Sequence, residues 1–333
     1  MPIFSYLSPK TTPKPVIVES REAKTPGVAQ GAPILLYDRV TVLPNGEQPL
    51  KSKSFTNNRS RRIQLHEMRI AGTITATTGH VVPPMLLALQ LVLRKKSGKS
   101  IPITRGYVPV PMICKSTNRD AELFGFIITL APADVTVGAM AWKFSYPVDL
   151  APGDFIEAQV KNVGLYNASV VVDLSFAGAD AADLPSYRVP YVMHWQSRDF
   201  AYAETAVDSS PPDQLANGLG TDLHVDRIIG RFLSRNPKGT GDEVADFADL
   251  SDQSVFNANL RIGTAQKFPI LRSYAPFRGV FGQDAAIETD FLLASGDYLT
   301  VDVQHTAGPT LTTPFTYFFG RGLISLVGWR EVA

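Results

Sequence analysis

The sequence predicts an all-β protein made of two tandem β-sandwiches behind an extended N-terminal arm, and three observations carry that prediction. Short runs rich in Val, Ile, Thr, Phe and Tyr alternate with turn formers along most of the chain. No long amphipathic helical pattern interrupts them; the best short candidate is 243–250. Three blocks recur in the same order in the two halves. Composition agrees. Of 333 residues, 44% are hydrophobic and 19% charged, which excludes wholesale disorder, and 25 Gly with 25 Pro fits many turns.

Residues 1–62 read as the arm. Eight prolines fall in the first 50 positions. Each removes a backbone donor and pushes its predecessor toward extended backbone, so the segment packs on something else rather than forming a core. It holds ten Lys/Arg against four Asp/Glu, or +6, whereas the remainder holds 22 against 27, or −5. Lys51, Lys53, Arg59, Arg61 and Arg62 have no acid among them. They form either a solvated linker or a contact to anionic groups, whether lipid headgroups or packaged genome.

Residues 63–180 read as the first sandwich, with strand-like runs at 70–77, 86–93, 123–130, 155–160 and 169–176. Residues 181–222 read as a linker because they contain Ser209, Ser210, Pro211, Pro212 and the Asn217-Gly218 pair. Residues 223–333 read as the second sandwich, with runs at 227–233, 255–262, 287–293, 298–303 and 315–326.

The repeated blocks tie the halves together. The first pairs 69–72 with 227–230, an offset of 158 (227−69). The second, P-I-x-R-x-Y-x-P, pairs 102–109 with 269–276 and so Arg105 and Tyr107 with Arg272 and Tyr274, an offset of 167 (269−102). The third, L-A-x-G-D followed by an aromatic residue, pairs 150–155 with 293–298, an offset of 143 (293−150). There Gly153-Asp154 and Gly296-Asp297 supply a turn that feeds an alternating strand. Repeats of about 20–50 residues build propellers and solenoids. This unit is far longer and suits a complete sandwich domain.

Catalytic chemistry is scarce. The five histidines, His66, His80, His194, His224 and His305, show no metal-ligand spacing, and no nucleophile elbow, P-loop or dinucleotide fingerprint occurs. Cys114 is the single cysteine, so the chain has no internal disulfide and no Cys/His zinc site; it reads as a packing thiol. The acidic run Asp242, Glu243, Asp246, Asp249 and Asp252 departs from the EF-hand pattern and reads as a solvated face or a calcium site. A net charge of +1 gives no global field to gather polyanions. The most apolar stretch, 81–93, contains Pro83, Pro84 and Gln90. It falls short of the ~20 residues that a helical membrane crossing needs. The N-terminus lacks the apolar core of a signal peptide. These features point to a protein that is not an enzyme and uses no cofactor.

With this duplication, the basic Pro-rich arm and the empty catalytic inventory, the chain resembles the double jelly-roll major capsid proteins of tailless icosahedral bacteriophages with an internal membrane and of related viruses. The resemblance covers about 62–333. It implies two eight-stranded jelly rolls standing side by side and joined into homotrimers of hexagonal outline. Neighbouring capsomers and minor or penton capsid proteins would be its partners, in a virion assembled in the host cytoplasm. The arm would lie toward the particle interior, against an internal membrane or the packaged genome. The family brings no catalytic residues, and its flanking helices have no obvious counterpart here. Two other readings stay open: a virion spike or receptor-binding protein, and a glycan-active tandem-sandwich enzyme, which needs two carboxylates a few ångströms apart.

Overall fold

A computed structural model of the chain describes residues 33–75, 81–82, 87–116, 127–128, 134–162, 169–181, 187–197, 200–202, 208–209, 213–235, 255–263, 277–278, 286–307 and 318–332. These residues form strands, two 3₁₀ turns (Ser52–Phe55 and Val110–Met112) and connecting turns, with no α-helix among them. The first half holds β1 (Pro33–Val42), β2 (Glu47–Pro49), β3 (Ile63–Thr75), β4 (Val81–Val82), β5 (Leu87–Arg94) and β6 (Ser100–Pro102). It continues with β7 (Val108–Pro109), β8 (Lys115–Ser116), β9 (Ile127–Ile128), β10 (Asp134–Leu150), β11 (Phe155–Asn162) and β12 (Val170–Asp180). The second half holds β13 (Arg188–Gln196), β14 (Phe200–Tyr202), β15 (Asp208–Ser209), β16 (Asp213–Ala216) and β17 (Leu223–Arg235). It ends with β18 (Val255–Gly263), β19 (Phe277–Arg278), β20 (Ala286–Leu293), β21 (Tyr298–Ala307) and β22 (Phe318–Glu331).

The two halves fold by one plan. In the first, one sheet runs β1-β12-β3-β10-β8 and its partner β2-β11-β5-β6. In the second, the sheets run β13-β22-β17-β20 and β15-β21-β18-β19, with β16 also on β21. Both halves place the first principal strand beside the last, then the third and the sixth. The facing sheets place the second beside the seventh, then the fourth and the fifth. That order is the jelly roll, so the chain has a double jelly-roll fold.

Strict alternation explains the first roll's core. β11 buries Ile156, Ala158, Val160 and Asn162 and leaves the residues between them half-exposed, while β12 buries Val170, Val172, Leu174 and Phe176. β3 changes phase once. Ile63 and Leu65 point inward, and then Met68 and Ile70 do. A bulge against β12, between Ala177 and Gly178, absorbs His66 and keeps Glu67 and Arg69 out of the core. β17 repeats the step, burying Leu223, Val225 and Ile228 around a bulge at Asp226.

Three sequence expectations need correction. The arm does not extend to residue 62, because β1 and β2 pair within the first roll and Ile34, Val42, Leu50 and Phe55 lie in its core. Proline is compatible with this placement: Pro33 opens an edge strand, Pro44 sits in the turn before β2, and Pro49 ends an edge strand. The 181–222 segment is no linker either, since β13 to β16 in it supply the second roll's first two principal strands. The connection between the rolls is only 181–187, from the end of β12 to the start of β13. Finally, the matched 69–72 and 227–230 blocks are not structural counterparts. The shared registers Ile63↔Leu150 and Leu223↔Leu293 set an offset of 160 (223−63) in this strand. The possible helix 243–250 and the acidic run 242–252 lie outside the described residues.

Candidate functional site

One corner is built twice. Asn57 stands six residues before Ile63, and Asn217 six before Leu223. The Asn57 side-chain amide donates to the carbonyls of Arg61 (2.8 Å) and Leu150 (2.9 Å), and its Oδ1 accepts from Arg59 N (3.0 Å). Its backbone exchanges bonds with the Gly153-Asp154 turn, 2.9 Å each way. Asn217 repeats the set: its amide donates to Thr221 O (3.0 Å) and Leu293 O (2.8 Å), and its Oδ1 accepts from Leu219 N (3.2 Å). Gly296 N donates to Asn217 O at 2.9 Å, and Asn217 N donates to Asp297 O at 2.7 Å. Gly153 and Gly296 make these turns at φ of 87° and 86°, a region costly for a residue with a Cβ.

In the first roll this corner is also basic. Asp154 is buried and accepts from Lys96 N (2.9 Å), Ala151 N (3.0 Å) and Lys95 Nζ (2.9 Å), tying the β5–β6 turn to the β10–β11 turn. Arg59 pairs with Asp180 at 3.1 Å, and Arg62 pairs with Asp149. Lys51, Lys53 and Arg61 are exposed and have no ion pair among the described residues. The five basic residues therefore split in role: two are structural cations and three face solvent.

A seam joins the rolls. β13 ends its sheet, as β1 does, yet the first roll covers it. Arg105 N donates to Val192 O and Val192 N donates to Ile103 O, both at 2.9 Å. The Arg105 guanidinium reaches Ala216 O at 2.9 Å, Arg330 reaches Pro102 O at 3.2 Å, and Arg227 reaches Ile113 O at 3.0 Å. The irregular stretch of β10 between Lys143 and Val148 adds side chains. Ser145 bonds Asp226, and the Tyr146 ring lies 4.6 Å from that of Trp329. The Arg188 guanidinium sits 4.8 Å over Tyr146 and 4.4 Å over Trp329 and donates to the Tyr146 hydroxyl at 2.7 Å. Val189, Val192, Ile229, Leu323 and Val327 merge with the first roll's core. Burial raises the Asp226 carboxyl above its usual range, with Ser145 acting against the shift, and lowers the Arg330 guanidinium. Burial also pushes the Cys114 thiol up to about 12, so it is an unreactive packing group.

No protein-family model matches the sequence, and no curated protein matches it. Solved structures do. The major capsid protein P2 of bacteriophage PM2 is similar at 8% identity and TM-score 0.37 over 90% of this chain and 98% of that one. The mavirus major capsid protein is similar at 8% identity and TM-score 0.37 over 98% and 93%. PNGase F, a glycosylasparaginase from Flavobacterium meningosepticum, is similar at 10% identity and TM-score 0.35 over 91% and 96%. The jelly-roll assignment rests on the strand order itself.

Of the remaining sequence-selected residues, Arg105 lies in the seam. Tyr107 donates to Glu47 at 3.1 Å, and burial, with that carboxylate second, pushes its hydroxyl up to about 12. Arg272 and Tyr274 lie outside the described residues. Asn57 and Asn217 carried a legible signal, an Asn at fixed spacing before the third principal strand of each half. The β13 and β10 seam carried none, because its contacts are long-range.

Proposed function

We propose that the chain is a major capsid subunit of a virion, working by self-association into trimers whose six rolls mimic a hexamer and tile an icosahedral shell. The observation that carries this reading is a single strand order built twice and joined edge to edge, which gives one polypeptide two near-equivalent lattice units. Three copies in cyclic symmetry then supply six similar edges. Neighbouring capsomers and minor or penton proteins are the partners this implies. Lys51, Lys53 and Arg61, together with residues 1–32, are assigned to phosphate contact on the particle's inner side, with an internal membrane or the packaged genome. Light scattering on the purified chain should return the mass of three copies, with hexagonal outlines in negative-stain images. Elongated trimers that bind host cells would favour a spike. Hydrolysis of an oligosaccharide panel, abolished by one carboxylate substitution, would favour an enzyme.

A further inference from the structure

The β1 edge of the first roll is the counterpart of the covered β13 edge of the second. Ile34 pairs with Gly178 and Tyr191 with Gly328, and each glycine sits at the same bulge of its roll. Ile34 therefore corresponds to Tyr191, Pro33 to Pro190 and Leu35 to Val192. Ile34 and Tyr191 are both buried, pointing into their own rolls. The next position differs. Val192 is 0% exposed beneath residues 103–105 of the first roll, whereas Leu35 is 68% exposed on a ten-residue edge strand. Natural proteins cover or blunt an edge of that length. Beside the third principal strand of each sheet, β10 and β20 hold the same place, β10 with β8 outside it. β10 covers the second roll through Ser145 and Tyr146, while β20, irregular at the matching point, leaves Leu292 47% exposed.

Among the described residues, each chain thus carries one satisfied seam and one matching edge, β1, whose Leu35 is exposed. We infer that a second copy of this chain covers β1 at Leu35 with its second roll, repeating between chains the seam built within one. This rests on the trimer reading above and names the surface that the trimer uses. The equivalence with Val192 turns the amide and carbonyl of Leu35 away from β12, ready for backbone bonds to the incoming copy. The contact is head-to-tail, so it forms a closed ring when the rotation per roll permits.

The test uses the full chain and Leu35→Asp, with Leu43→Asp, an exposed residue at the far end of β1, as the control. Light scattering should give three copies for the parent and the control and one copy for Leu35→Asp, with circular dichroism showing a folded protein. A parent trimer that survives Leu35→Asp overturns this surface and leaves the trimer reading standing. A parent that stays monomeric at every concentration overturns the trimer reading itself. Maleimide labelling of Leu35→Cys gives a second readout independent of the charged variant, because Cys114 is buried. Labelling should be slow in the assembled protein and fast after dilution to monomers. Equal protection in the two states means the chain covers its own edge, which overturns the proposal.

Discussion

Gly178 and Gly328 occupy the same place in the two rolls, where a bulge in the third principal strand brings another backbone against the last. A Cβ on Gly178 would overlap the carbonyl oxygen of Gln64, and one on Gly328 would overlap that of His224. Neither neighbour is a flexible side chain, so relief requires backbone movement. Gly178→Ala and Gly328→Ala should each destabilise their roll at the upper end of the ~1–3 kcal/mol that overpacking costs, or beyond it. A urea midpoint unchanged in either variant would contradict the close approach. His194 supplies a separate residue-scale expectation. Its Nδ1 lies 2.9 Å from Ser325 Oγ, its buried Nε2 has no partner among the described residues, and burial pushes its pKa down to about 4. The unfolded chain, with an ordinary histidine, binds a proton between pH 6.5 and 4 that the folded chain refuses. Stability is therefore lost as pH falls through that window, by about 2 kcal/mol between pH 7 and pH 5. His194→Gln should flatten that part of the stability–pH curve relative to the parent in paired denaturation series.

At the scale of elements, the irregular stretch of β10 does what a regular strand cannot. It re-aims Ser145 and Tyr146 out of their own sheet and onto the second roll. Tyr146→Ala removes a ring packed on Trp329 and Arg188 and should cost about 3 kcal/mol, while Tyr146→Phe removes only one hydrogen bond and should cost about 1. Because the loss falls on the seam, calorimetry of the Ala variant should show the single melting transition broadening or splitting into two. One sharp transition at the parental temperature would count against the seam as the coupling element. Sequence reading reached the elements that local chemistry dictates. The Gly-Asp turns were legible because a positive φ demands glycine, and β11 and β12 because their alternation is strict. β1 was hidden behind proline density, although Pro33 sits where an edge strand tolerates it. The 69–72 match failed because an R-I-x-G string on an alternating strand arises easily, and only the ladder register shows it to be two residues out of step. The Asn57 and Asn217 corners are buried polar groups, to which hydrophobic periodicity is blind.

Over the whole molecule, charge is distributed unlike the fold. The rolls share one strand order, but the basic cluster belongs to the first alone. Where the first corner carries Arg59, Arg61 and Arg62, the second carries Leu219, Thr221 and Asp222, and Asp222 accepts from Ser295 N at 2.9 Å. The near-neutral net charge of +1 thus conceals an uneven distribution along the chain, +6 over residues 1–62 and −5 over the remainder. Arg59 and Arg62 are committed to Asp180 and Asp149, so the free attraction rests on Lys51, Lys53 and Arg61. A basic residue near an anionic membrane surface contributes about 1 kcal/mol, so replacing all three with Gln should weaken binding to phosphatidylserine vesicles about a hundredfold. The same substitution at Arg59 or Arg62 should act mainly on stability. If the partner is nucleic acid instead, the triple variant should flatten the dependence of log affinity on log salt by about 3, close to one unit for each lost phosphate contact. Vesicle flotation and salt-series binding, run side by side on the parent and the triple variant, separate the two partners. Unchanged binding in both would assign the contact to residues 1–32, which a deletion of that segment alone would then report.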